Sequence, residues 1–405
     1  MKRKELVVLI DGMADFPLAE LDGKTPLEAA KKPCMDGLAE KSTLGMLHVT
    51  PDGCKGGSEV GNLSILGYDP RRYLTGRSPI EASAIGIEMK DDDLAVRCNL
   101  VCLSDDEPYE RKTMEDYSAG EITTAEADTL LQFLQKNLDS DFATFYTGIS
   151  YRHCLILHGA DADMTLTPPH NISGQCISAY LPQGDHSEYL LSLMKKSYEL
   201  FKNHPLNVSR RERGLNPANS IWLWGQGRRM SLPSFSEKYG VSGAMITAVD
   251  LLRGIARCAG MNLCDVEGAT GTLETNFEGK AAAAIRAFES GCDFVYVHLE
   301  APDECGHHGD AAGKVKAGEW IDQKIVTPLV AYLRRTGGPF RILITPDHPT
   351  PVSTRGHSSE DVPYLLYDSE KEVVSGKTCY CEKTCAETGI YTDDVLTLMD
   401  TLICK

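Results

Sequence analysis

The chain has 405 residues, 42% of them hydrophobic, with 58 acidic against 41 basic side chains and a formal net charge of -17. That length admits two or three ordinary domains, or one large domain with an insertion, and the apolar fraction is ample for buried cores. The acidic balance argues against a broad nucleic-acid surface, and no apolar run is long enough to cross a membrane.

The first apolar run, Leu6–Ile10, is also too short for the core of a secretion signal, so a cytoplasmic protein is expected. Its unbroken apolar character reads as a strand buried on both faces, typical of a parallel sheet, and it ends at Asp11. A loop broken by Gly12 and Pro17 follows. Thr25-Pro26-Leu27-Glu28 then reads as a helix start with proline at the first helical position, and Pro33 opens a second short helix over 34–41.

Between Asp52 and Pro70, Gly53, Gly56, Gly57 and Gly61 surround Ser58 and Glu59, and Asn62–Leu66 continues as a helix. Ser58 is thus expected near a helix N-terminus, where free N–H groups favour a phosphate and ease formation of an alkoxide. Read alone, Ser58 serves equally as a capping serine, and the absence of Gly-Lys-Ser/Thr rules out a P-loop. Arg77 lies in the next loop, just before another helix, as a candidate anion contact.

From about Val96 to Ser220, short strands (95–103, 153–158) alternate with amphipathic helices (124–136, 188–203). This predicts an inserted α+β domain over 96–219, with residues 1–95 and 220–405 forming the core domain. Arg152 and His170 sit in polar clusters there that suit substrate contacts, or else a surface ion pair and a turn. After 220 the α/β pattern resumes. A strand over 220–224 precedes the loop Gly225-Gln226-Gly227-Arg228-Arg229, then come a helix over 248–259, a helix beginning near Lys280, and strands over 294–299, 340–345 and 363–367. The fold class is therefore α/β, a mostly parallel sheet with helices on both faces, plus an inserted α+β cap.

The 14 cysteines are scattered, which suits reduced thiols. Cys379, Cys381 and Cys385, with Cys404 near the end, form one local cluster, but C-x-C-x3-C matches no common zinc-finger spacing.

Three strands end in metal-binding groups. Asp11 follows the first; Asp303 and His307, four apart on a helical turn, follow 294–299; Asp347-His348 follows 340–345; and His357 comes in the next loop. A single Asp-His pair after a strand reads as a turn and helix cap, but the combination does not. The groups divide into Asp303, His307 and His357 for one ion, and Asp11, Asp347 and His348 for another. Mixed carboxylate and imidazole donors suit Mn2+ or Zn2+, and suit Mg2+ less well. Two divalent ions roughly 4 Å apart clamp a transferring phosphoryl group. Ser58, coordinated to one of them, becomes a nucleophile at neutral pH. Arg152, Arg228, Arg229 and Lys280 would hold the phosphate and remaining charge of a small anionic metabolite. His308 and Asp310 stand close behind these ligands, as their neighbours or as groups that support them.

The stretches LIDGMAD, KTPLEAA, GGSEVGNLSILGYDP, LTGRSPIEA, WLWGQG, VEGATG, EAPDECGHHGD and TPDHPTPVSTRGHS span nearly the whole chain. In that order they resemble the alkaline phosphatase superfamily and, more narrowly, the archaeal-type cofactor-independent phosphoglycerate mutases. The resemblance implies a phosphoserine intermediate on Ser58, two metals, usually manganese, on the two ligand sets above, and a cap that closes over phosphoglycerate. The departure lies in the cap. Asp116-Tyr117-Ser118-Ala119-Gly120-Glu121 stands where the mutases tend to carry an arginine-rich run. In this it is similar to a bacterial branch proposed to act as homoserine kinases in threonine synthesis, where Glu121 would suit an ammonium-bearing substrate. A metal-dependent phosphatase or sulfatase needs the same ligands. A non-catalytic sensor would be expected to have lost at least one of them.

Overall fold

The computed structural model describes residues 2–403, so Cys404 lies outside the described residues. The chain divides into two compact units, Met1–Leu74 with Leu232–Lys405, and Thr75–Ser231.

The first unit is built on an eight-stranded sheet in the order Asn262–Leu263, Gly243–Ile246, Phe294–Leu299, Lys4–Ile10, Phe340–Thr345, Val362–Asp368, Thr43–Leu47 and Tyr391–Thr392. Only Val362–Asp368 runs against the others. Lys4–Ile10 lies at the centre, with Glu5 opposite Phe294 on one side and Lys4 opposite Phe340 on the other. Leu6 through Ile10 are all fully buried, as are Val295 to Val297 and Ile342 to Ile344. Both faces of these strands are therefore covered, which is why the sequence shows continuous apolar runs with no alternation. The helices Phe277–Glu289, Ala311–Ile321 and Thr327–Thr336 contribute Phe277, Ala284, Ile321, Leu329 and Leu333 to one of the layers against the sheet.

A turn of π-helix, Asp322–Val326, joins the last two of these helices. It precedes Pro328, whose missing N–H and ring would otherwise clash within a regular helix. The turn leaves buried Asp322 to accept hydrogen bonds from the backbone N–H groups of Cys34 and Met35, at 3.2 and 2.7 Å. The helix Pro33–Ala39 lacks a side-chain cap of its own and is capped in this way from a distant helix.

Buried charge is also used to pin loops. Lys314 donates to Asp15 at 2.7 Å and to the Thr350 carbonyl at 2.8 Å. Asp15 donates its backbone N–H to Glu382, which also accepts from Thr25. Burial pushes the Glu382 carboxyl up to about 7 from 4.5. A carboxyl raised in the fold stabilises fully below the unfolded value, and that stability is lost as pH rises through the folded one. Glu382→Gln should remove this loss. Thermal melts should show the variant matching wild type near pH 4.5 and exceeding it at pH 8, by on the order of 3 kcal/mol. Parallel pH profiles for the two proteins would place the titration elsewhere.

The second unit is an α+β layer. Leu94–Leu103 is its central strand, flanked by Arg152–Leu157 and Ser220–Arg228, with Ala143–Ile149 beyond and Met114–Asp116 at one end, all antiparallel. Helices Thr124–Leu138 and Ser187–Phe201 bury Leu130, Leu134, Leu190 and Met194 against it, with Trp222 in the core. The division falls at Leu74/Thr75 and Ser231/Leu232, not at 95/96 and 219/220. The helix Ser78–Ala84 accounts for the first difference. Its Glu81 pairs with Arg97 on the central strand, and Ser78 donates to the Gly225 carbonyl. The second arises because the strand from Ser220 continues to Arg228, through residues that read as a loop in the sequence. No helix among the described residues is long and apolar enough to cross a membrane.

Candidate active site

The carboxyl ends of the parallel strands converge on one polar knot, the place where an open α/β sheet collects a ligand. Asp11 follows Lys4–Ile10, and Asp347 and His348 follow Phe340–Thr345. After Phe294–Leu299 the chain turns directly into the helix Ala301–His308, which carries Asp303 and His307 one turn apart on one face. Ser58 is the first residue of the helix Ser58–Ile65. All these residues belong to the first unit.

Ser58 Oγ lies 3.2 Å from His348 Nε2. The same nitrogen is 3.3 Å from Asp11 Oδ1 and 3.7 Å from Asp347 Oδ2. His357 Nε2 is 3.4 Å from Asp303 Oδ1 and 3.0 Å from His307 Nε2, and His307 Nε2 is 3.3 Å from Asp303 Oδ2. Two groups have ligand atoms within 4.8 Å of one another: Asp303, His348 and His357, and Asp11, Asp347 and His348. His348 thus stands between the two sets that the sequence delineates. Gly12 has a φ of +64°, and a Cβ there would lie 2.5 Å from Asp303 Oδ1, so the chain passes the ligands only as glycine.

Three features fit this knot to cations. Asp11 Oδ1 is buried without a hydrogen-bond partner among the described residues. His307 Nδ1 lies 3.0 Å from the Arg355 carbonyl, which can only accept, so Nδ1 carries the proton and the Nε2 lone pair faces His357. Thr350 donates its hydroxyl to Asp303 at 2.5 Å and so accepts from His348 Nδ1 at 3.2 Å, which likewise leaves His348 Nε2 bare toward Ser58 and the carboxylates. Among the described residues, the ion pairs made by Asp11, Asp303 and Asp347 come only from histidines.

The electrostatics agree. Burial, with the charges of Asp347 and Asp303, drives the Asp11 carboxyl well above its ordinary range. Burial also pushes up Glu300, to about 7, helped by Asp303 and Glu304. At Asp303 burial is outweighed by hydrogen bonds from His357 and Thr350, which bring it down to about 2. The hydrogen bond to Asp303 raises His357 in turn. Carboxylates crowded to this degree call for added positive charge.

The remaining candidates are dispersed. Arg77, Arg152, His170, Arg228 and Arg229 all lie in the second unit. Arg228 donates to the carbonyls of Ala160 and Asp92, and Arg229 pairs with Asp91 at 2.6 Å. Arg152 lies over the Tyr151 ring, and His170 packs edge-on between Tyr117 and Trp224. Lys280 is in the first unit, wholly buried, and donates to the His298 carbonyl at 3.1 Å; burial lowers it to about 8. His308 is turned outward against Glu304, and Asp310 caps the helix Ala311–Ile321 through the Gly313 N–H. Cys379, Cys381 and Cys385 do not join any group of metal-ligating side chains among the described residues.

Four polar residues escape the sequence reading. His298 holds Asp11 Oδ2 at 2.9 Å, Thr350 holds Asp303, Asn62 donates to Asp347, and Tyr296 donates to Asn62. Asn62 alone gave a signal, standing four residues after Ser58 on the same helix face.

Fold and site together define an α/β protein with a mostly parallel sheet and a candidate two-metal centre beside a serine. Residues 39–207 match the family described as 2,3-bisphosphoglycerate-independent phosphoglycerate mutase. A Geobacter sulfurreducens protein named "Probable 2,3-bisphosphoglycerate-independent phosphoglycerate mutase" is 45% identical over 400 residues, 99% of each chain. A Methanosarcina barkeri 2,3-bisphosphoglycerate-independent phosphoglycerate mutase is 46% identical over 369 residues, 91% of each. The solved structure of the PH0037 protein from Pyrococcus horikoshii is similar throughout, with a TM-score of 0.82 at 28% identity, covering 100% of this chain and 97% of that one. The chain belongs to the 2,3-bisphosphoglycerate-independent phosphoglycerate mutase family.

Proposed function

We propose that the protein interconverts 3-phosphoglycerate and 2-phosphoglycerate by way of a phosphoserine on Ser58, without 2,3-bisphosphoglycerate. The observation that carries the reading is the Ser58 hydroxyl at a helix start, 3.2 Å from His348 Nε2 and beside two overlapping carboxylate–imidazole sets. Ser58 Oγ forms a bond to phosphorus as the ester bond to glycerate breaks. The leaving glycerate oxygen takes up a proton. The glycerate then turns, and its other hydroxyl attacks phosphoserine and restores Ser58. The N–H groups at the start of Ser58–Ile65 face phosphoryl oxygens through both transfers.

Asp303, His307 and His357 would hold one divalent ion, and Asp11, Asp347 and His348 another, with Mn2+ best suited to the mixed donors and Zn2+ or Mg2+ as alternatives. Bound ions supply positive charge that lowers the serine pKa and offsets the phosphoryl charge. The second unit, through Arg152, Arg228, Arg229, Arg77 and His170, is proposed as the substrate-binding cap, although Arg228 and Arg229 would first have to leave their present partners.

One observation favours a second reading, phosphoryl transfer to homoserine. Ala119, Gly120 and Glu121 are three successive residues with positive φ, at 51°, 69° and 51°. Asp116 holds this loop by accepting from the Ser118 and Gly120 N–H groups, and Arg210 donates to the Ala119 carbonyl. Strain of this kind persists where a structure over-determines it and clusters at ligand clamps. Glu121, at the end of this loop, is an acidic side chain that would suit a substrate bearing an ammonium group. A paired assay on one manganese-loaded preparation separates the readings. 3-Phosphoglycerate is expected to yield 2-phosphoglycerate. O-phosphohomoserine from homoserine and ATP, with no mutase product, would overturn the first reading in favour of the second.

A further inference from the structure

Asn62 is completely buried and makes three hydrogen bonds. Its Nδ2 lies 2.7 Å from Asp347 Oδ2 and 2.8 Å from the carbonyl oxygen of Ser58, and its Oδ1 lies 2.7 Å from the Tyr296 hydroxyl. Chemistry fixes which way the amide points. A carboxylate oxygen and a peptide carbonyl only accept, so the amino end must face both of them. The carbonyl end is then left to accept from Tyr296, which is itself buried on the strand Phe294–Leu299. The preceding residue makes the same junction sterically. A Cβ on Gly61 would stand 2.6 Å from the Asp347 carbonyl oxygen and 2.9 Å from the Asp347 Cβ. The helix bearing Ser58 therefore rests directly on the backbone of Asp347. The other carboxylate oxygen, Asp347 Oδ1, accepts only a long hydrogen bond, 3.3 Å from the Gly12 N–H.

We propose that Asn62, aligned by the Tyr296 hydroxyl, is a positioning residue that locks Ser58 and Asp347 into one rigid unit. The nucleophile and a metal-binding carboxylate are carried by separate elements, a helix and a strand end. Placing a nucleophile to within a fraction of an ångström is a large part of phosphoryl-transfer catalysis. Asn62 binds the two elements to each other, and Tyr296 keeps its amide from turning the carbonyl end toward Asp347, which would set two acceptors face to face. The assignment rests on the two-metal serine reading above, but not on the identity of the substrate.

Tyr296→Phe is the decisive variant because it deletes one oxygen and keeps the ring. Asn62→Leu and the double variant complete a cycle, all made in the full chain. Mn2+ binding is titrated in the absence of substrate, with free Mn2+ followed by electron paramagnetic resonance; kcat and KM are then measured on the substrate that the paired assay identifies. Tyr296→Phe is expected to weaken one of two Mn2+ equivalents about 10-fold, and to lower kcat about 10-fold with KM little changed. Asn62→Leu should lose more. Adding Tyr296→Phe to Asn62→Leu should cost nothing further, since the hydroxyl then has no amide to orient. Wild-type Mn2+ affinity in Tyr296→Phe, or losses that multiply in the double variant as independent packing defects would, overturns the proposal. The metal titration uses no substrate, so a failed mutase assay beside an intact pattern of metal losses counts against the proposed activity alone.

Discussion

Ser58→Ala is expected to abolish phosphoryl transfer, by about 10^3-fold or more, while leaving the metal content unchanged. The expectation rests on a division of labour among neighbours. Each candidate ligand group brings three carboxylate or imidazole donors besides the serine hydroxyl. Alanine is also well tolerated at the first position of a helix, and the docking of Ser58–Ile65 depends on Gly61 and Asn62. What the substitution removes is the one oxygen able to form an ester with phosphorus at that place. Mass spectrometry of wild-type protein quenched during turnover should find a phosphorylated peptide containing Ser58, and the variant should show none. Normal turnover by Ser58→Ala would end the phosphoserine mechanism.

The second large effect concerns Asp11, and its sign is opposite for the two forms of the protein. Asp11 is buried, one carboxylate oxygen has no hydrogen-bond partner among the described residues, and Asp347 and Asp303 add repulsion. An uncompensated buried charge of this kind destabilises the fold. Asp11→Asn removes the charge, keeps the size and retains an oxygen for His298. Without metal at pH 8 the variant is therefore expected to be more stable than wild type, by about 1–3 kcal/mol. With Mn2+ the order should reverse. Wild type gains stability by mass action, and the variant, missing a ligand, gains much less. Calorimetric melts of both proteins with chelator and with Mn2+ give all four values. A variant less stable than wild type in chelator would mean that Asp11 is compensated by the protein alone.

How much of this was legible in the sequence depended on what each residue had to show. The strands 294–299 and 340–345 match the sequence reading, and 6–10 lies within Lys4–Ile10, because strands covered on both faces leave unbroken apolar runs. The knot was legible for a related reason. Asp11, Asp303, Asp347 and His348 sit just past those runs, where a polar residue interrupts the pattern. Tyr296 and His298 gave no such sign. They stand inside the strand Phe294–Leu299, where a tyrosine or histidine reads as another core residue, and only the fold shows their polar atoms aimed at Asn62 and Asp11. Ser58, expected near a helix N-terminus, is the first residue of its helix. The direction of Val362–Asp368 was beyond reach because strand polarity has no local signature. The arginines of the second unit illustrate the opposite limit. Their charge invites a substrate role, whereas Arg228 and Arg229 are already engaged by carbonyls and a carboxylate of their own unit.

The central place of Lys4–Ile10 sets the order in which the molecule can be made. Its two hydrogen-bonding neighbours are Phe294–Leu299 and Phe340–Thr345. On the ribosome this strand emerges long before either partner exists, as an apolar segment with both edges open. The unit Thr75–Ser231 is different, since all its strands pair within one continuous stretch of chain, and it can close while synthesis continues. Asp11 can meet Asp303 and Asp347 only after both of the later strands, Phe294–Leu299 and Phe340–Thr345, have been made. The site is therefore completed late in synthesis, and until then the first strand is an apolar segment without its partners.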